Sequence, residues 1–140
     1  MILDVSSAIG ARFDETPVGD ILRAAMTGGL HFTEAPDDVS FPYGVFTFDG
    51  SNIDEIAGDR RSAIETASIT ISIFSNNDDG GLQLFDIIQK WIALFDWANL
   101  TYPDGSEYSH FAMKRNSLTN RGKIDNIWII DLQYDVMYNH

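Results

Sequence analysis

Residues 63–74 read Ala63-Ile64-Glu65-Thr66-Ala67-Ser68-Ile69-Thr70-Ile71-Ser72-Ile73-Phe74. Apolar and polar side chains alternate with a period of two. The apolar side chains therefore lie on a buried face of a strand, and the polar side chains lie on its solvent-exposed face. This pattern is typical of an antiparallel sheet that is covered on one side. The segment therefore predicts a strand that lies over a hydrophobic core.

The next segment predicts the helix that covers this strand. A polar break over residues 75–81 is followed by a change to helical period over Leu82–Phe95. The apolar residues of that period form a broad stripe, made of Leu84, Phe85, Ile87, Ile88, Trp91, Ile92 and Phe95. Because the stripe is wide, we expect it to pack on a sheet face.

The flanking segments add two strands after this helix, and a helix and two strands before the first strand. Residues 108–116 and 124–138 predict a hairpin with its turn at Asn120–Lys123. Thr16 is the expected cap of an early helix that starts at Pro17 and stops at Gly28-Gly29. Residues 49–61 are expected to be either an exposed connection or part of a hairpin. The order predicts an α+β fold: a mainly antiparallel sheet with helices packed on one face, in a single domain over residues 1–140.

Composition excludes several classes of function. The net charge of −12 disfavours a phosphate-gripping surface or a polybasic membrane contact. The absence of cysteine excludes disulfides, thiolate nucleophiles and Cys-ligated zinc. The longest apolar stretch, residues 87–97, is too short to span a membrane, and residues 1–4 lack the features of a signal peptide.

No pattern of catalytic residues stands out. The three histidines, His31, His110 and His140, do not form a helical metal pair. The acidic loop 76–81 has two interpretations: calcium ligation by oxygen atoms, or capping of the next helix by Asn77, Asp78 or Asp79. The sequence predicts a protein that is not an enzyme, with no catalytic residue, metal or cofactor.

Charge is unevenly distributed, which suggests an interaction surface. Four of the nine basic residues lie in the final predicted hairpin: Lys114, Arg115, Arg121 and Lys123. They are either a docking patch for an acidic partner or neighbouring copy, or a solvated hairpin tip. The complementary acidic candidates are Asp37, Asp38, Asp54, Glu55 and Asp59. Trp97 and Tyr102, outside the predicted elements, are interface candidates as well.

One part of the sequence resembles a known family. Gly28-Gly29-Leu30-His31-Phe32, Ala35-Pro36 and Phe41-Pro42-Tyr43-Gly44-Val45-Phe46 are similar to the short strand, Ala-Pro loop and Pro-Tyr strand of tail-completion proteins. These are the tail terminator or head–tail joining proteins of tailed bacteriophages. The strand at 64–74, the acidic break, the helix and the two closing strands extend the resemblance over nearly the whole chain. Gly44 and residues 101–110 depart from the usual pattern.

The resemblance implies a structural assembly role. Such proteins form a ring, usually of six subunits, that caps the tail tube, terminates tail growth and joins tail to head. The implied partners are other copies of the chain, the tail tube protein and a head-side neck or connector protein, with DNA passing through the lumen without specific binding. The implied location is the tail–head junction of the virion, and the host cytoplasm during assembly. The alternatives are a neck or minor tail component of similar fold, or a small ligand-binding or hydrolytic α+β domain, which requires a pocket with convergent polar groups.

Overall fold

The computed structural model describes residues 2–56, 59–100 and 109–139. Within these ranges, the side chains of residues 2–3, 53–56, 59–64, 109–112 and 138–139 are not described. The interface candidate Tyr102 lies outside the described residues.

The described chain forms three helices and five strands. The helices are α1 (Ile2–Asp14), α2 (Asp20–Ala25) and α3 (Leu82–Phe95). The strands are β1 (Leu30–Phe32), β2 (Tyr43–Ile56), β3 (Asp59–Ser75), β4 (Ser109–Ile124) and β5 (Ile127–Asn139). None of the helices in the described part has the length and apolar character needed to cross a bilayer.

All five strands belong to one sheet in the order β1-β2-β3-β5-β4. β1 pairs with β2 in parallel, and the β2–β3, β3–β5 and β5–β4 ladders are antiparallel. The α+β fold class with a mainly antiparallel sheet is therefore confirmed. β1 lies at one edge of this sheet and β4 lies at the other.

The core lies between one face of the sheet and the helices. β3 and β5 supply its floor with alternate, almost fully buried side chains: Ala67, Ile69, Ile71 and Ile73, and Ile130, Leu132, Tyr134 and Val136. α3 covers them with the buried side chains of Leu84, Ile87, Ile88, Trp91, Leu94 and Phe95. The predicted stripe is correct except at Phe85, which is 41% exposed, because it lies on the outer side of the first helical turn.

The last hairpin turns later than the sequence predicted. The turn consists of Asp125 and Asn126, which both have positive φ, at 50° and 65°. Positive φ at both central positions is typical of a type I′ turn, whose twist matches that of the paired strands. The expected turn at Asn120–Lys123 is wrong: Gly122, with φ of 74°, lies instead at an irregularity within β4. Its N–H donates to the Asn120 side chain over 2.9 Å.

Two further segments can be compared with the predictions. Most of residues 49–61 belong to the antiparallel β2–β3 hairpin rather than to an exposed connection, because β2 continues to Ile56 and β3 begins at Asp59. The early helix is not capped by Thr16, since α2 begins at Asp20. The residues before it form turns instead, with the Gly19 N–H donating to the Glu15 carbonyl over 2.7 Å.

Gly28 fixes the approach of the chain to the sheet edge. Its N–H donates to the Pro42 carbonyl over 2.8 Å. A Cβ at this position would lie 1.7 Å from the Ser40 carbonyl oxygen and 2.8 Å from the Tyr43 Cβ. The segment that joins β1 to β2 therefore packs directly on a glycine backbone.

We predict that Gly28→Ala lowers the free energy of unfolding by about 2–4 kcal/mol, because two backbone segments must move apart. The matched control is Gly10→Ala in α1, where a Cβ meets nothing within 4 Å. This control should stabilise the protein by about 0.5–1 kcal/mol through helix propensity. Urea unfolding of both variants tests the prediction, and equal midpoints would contradict it.

Candidate interaction surfaces

β4 forms a long edge of the sheet. Within the described residues its ladder partner is β5, and a short outer contact covers Met113. There the Trp97 N–H donates to the Met113 carbonyl over 2.7 Å, and the Met113 N–H donates to the Ala98 carbonyl over 3.0 Å. The register along β4 shifts between His110 and Met113, between Arg115 and Ser117, and between Asn120 and Gly122.

The four basic residues lie along this edge strand, and three of them form ion pairs within the chain. The pairs are Arg115 with Asp96 over 3.0 Å, Arg121 with Asp131 over 3.1 Å, and Lys123 with Asp78 over 3.1 Å. The Lys123 ammonium also lies 5.9 Å from the centre of the Trp128 ring. Lys114 is exposed beside Asp135 in the ladder, with no ion-pair partner among the described residues.

These basic side chains do not form one compact cluster. Arg115 lies beside the buried Tyr134 on the helix side of the sheet, whereas Arg121 reaches Asp131 on the uncovered side. Positive charge and bulges on an edge strand discourage pairing with a strand of another chain. Any docking role of these residues would therefore use their side chains rather than the strand backbone.

The acidic candidates lie elsewhere. Asp37 and Asp38 are exposed in a turn in which the Val39 N–H donates to the Pro36 carbonyl over 3.1 Å. This turn belongs to the segment after β1, at the sheet edge opposite β4. The side chains of Asp54, Glu55 and Asp59 lie outside those that the structure describes.

A polar cluster joins the end of α3 to the sheet. The Asp96 carboxylate accepts a hydrogen bond from the Tyr134 hydroxyl through Oδ1 and one from the Arg115 Nε through Oδ2 over 3.0 Å. Tyr134 is fully buried. Burial, and then the hydrogen bond to Asp96, raise the pKa of the Tyr134 hydroxyl far above its ordinary value near 10. The cluster fixes the point at which the chain leaves the helix.

Trp97 follows this cluster in an unusual conformation. Its φ is +59°, in the left-handed region where a helix commonly ends on glycine. For a bulky side chain this conformation costs about 1–2 kcal/mol. The indole is nevertheless 64% exposed, so its burial in this chain does not offset that cost. The sequence pattern indicates Trp97 as an interface candidate only because this residue lies outside the predicted elements. Its left-handed backbone conformation has no signal in the sequence.

A cleft of about 410 Å³ lies between α2 and α3. Its walls are mostly apolar, with Val18 and Ile21 exposed at 45% and 67%, and Leu22 and Leu94 buried below them. Asp86 and Lys90 lie on its rim and form an ion pair with each other. This arrangement suits an apolar group with one polar atom better than a polar substrate.

The acidic loop before α3 acts as a helix cap. Asp79 accepts hydrogen bonds from the Gln83 N–H over 3.0 Å and from the Gly81 N–H over 3.2 Å, which satisfies donors of the first helical turn. Among the described residues, no three His, Asp or Glu side chains come together as a metal site. His31 instead contacts the Gly28 carbonyl over 2.8 Å.

Comparisons with known proteins give a fold relationship. No family model matches the chain, and no curated protein matches it. One chain of the virion of a native gene transfer agent particle aligns with 97% of this chain and 98% of its own length, at a TM-score of 0.71 and 14% identity. A second solved structure aligns over 94% of both chains, at a TM-score of 0.53 and 18% identity. At these identities the comparisons establish a shared fold.

We predict that Tyr134→Phe changes how stability depends on alkaline pH. Because the folded-state pKa is raised, the stabilisation by Tyr134 is full below pH 10, where the unfolded side chain is neutral. It is lost progressively as the pH rises above that value. Near neutral pH, removing the hydroxyl should cost about 1–2 kcal/mol. Urea unfolding from neutral to alkaline pH should show the gap between the two proteins narrowing; a constant gap would contradict the prediction.

Proposed function

We propose that this protein is a structural component of a virion, and that it forms the ring that caps the tail tube and joins the tail to the head. The observation that carries the proposal is the full-length fold match to a chain of a gene transfer agent virion. Both chains are covered almost completely, so the match concerns the whole fold rather than a common substructure. Because the sequence identity is low, the match supports a shared fold. The tail-completion role rests in addition on the sequence resemblance.

The structural elements follow one another along the chain in the order that the sequence resemblance predicts. The Gly28–Phe32 segment contains β1, the Ala-Pro loop follows it, and the Pro-Tyr segment begins β2. The alternating strand, acidic cap, helix and closing hairpin then follow as in tail-completion proteins. This agreement favours a non-enzymatic assembly role.

A ring of identical subunits needs two different surfaces that complement each other, and they must lie on different sides of the subunit. The two edges of the sheet meet this need. The basic residues follow β4, and the exposed Asp37 and Asp38 lie beyond β1 at the other edge. We propose that these edges, together with Asp54, Glu55 and Asp59, face each other between neighbouring copies.

The overall charge suits a channel for DNA. At a net charge of −12, the protein repels phosphates rather than binding them. The uncovered sheet face adds carboxylates held by strand hydroxyls, including Asp49, which accepts a hydrogen bond from Thr47 over 3.1 Å. Such a surface lets DNA pass without specific binding.

Two partners follow from this role: the tail tube protein on one side of the ring and a head-side neck or connector protein on the other. The corresponding location is the tail–head junction, after assembly in the host cytoplasm. A neck or minor tail component of similar fold is the second candidate, and it differs in which end of the tail assembly it binds. The apolar α2–α3 cleft gives little support to a hydrolytic domain, which needs convergent polar groups.

The deciding experiment is binding to assembled tail tubes. Tubes made from the tail tube protein encoded with this chain should bind the protein at one end and stop growing, and electron microscopy should show a closed ring there. Light scattering on the free protein across concentration reports whether the ring also forms without the tube. Binding to the head-side connector but not to tubes would favour the second candidate, and binding to neither would reject the proposal.

We predict that Arg121→Glu with Lys123→Glu weakens ring assembly at least tenfold, because it puts negative charge on the edge that faces acidic side chains. Both residues are substantially exposed, so the monomer should lose only about 1 kcal/mol or less per ion pair.

The matched control replaces the same residues with glutamine, which removes charge without reversing it and should weaken assembly less. Assembly is measured by light scattering or on tubes, and monomer stability by urea unfolding. Equal assembly of the wild type and both variants would exclude this edge as the contact.

A further inference from the structure

We draw no further inference here: the strongest candidate, the apolar cleft of about 410 Å³ between α2 and α3, has nothing in the structure to show what covers it, because the charged side chains on its rim, Asp86 and Lys90, are already paired with each other.

Discussion

The register between β3 and β5 is the constraint on which the rest of the structure depends. It places Ile69 beside Tyr134, Ile71 beside Leu132, and Ile73 beside Ile130. A shift of one residue would turn the hydroxyl row of β3 toward the core and expose the isoleucines. Both ladders that extend the sheet, to β2 on one side and to β4 on the other, begin from this pair. The helices cover the single apolar face that the pair creates.

Much of this central part could be predicted from the sequence, because its signals are local and periodic. The strict alternation over 63–74 and the helical stripe over 82–95 each depend only on neighbours along the chain. The α3 boundaries were predicted correctly for this reason. The error at Phe85 has the same origin, since a stripe shows which residues share a side but not how much of that side is covered.

The parts that sequence could not predict depend on contacts between distant segments. Asn120–Lys123 has turn-forming residues, yet these residues pair with β5 and Gly122 lies at an irregularity of that ladder. The turn is formed by Asp125 and Asn126 instead. The sequence predicts Arg115 as a free surface charge, whereas in the structure Arg115 and Tyr134 both donate hydrogen bonds to Asp96. For the candidate surfaces, the sequence therefore identified residue types but not which charges were already paired.

The length of the strands has a consequence for how the protein moves in solution. β3 has 17 residues, which extend to about 56 Å at 3.3 Å per residue. A sphere made from a chain of this size would measure only about 37 Å across, from the usual scaling of radius with length. The molecule is therefore elongated along β3, and it rotates and diffuses more slowly than a sphere of equal mass. A hydrodynamic radius read as that of a sphere would overstate its mass, so a single subunit would resemble a small oligomer.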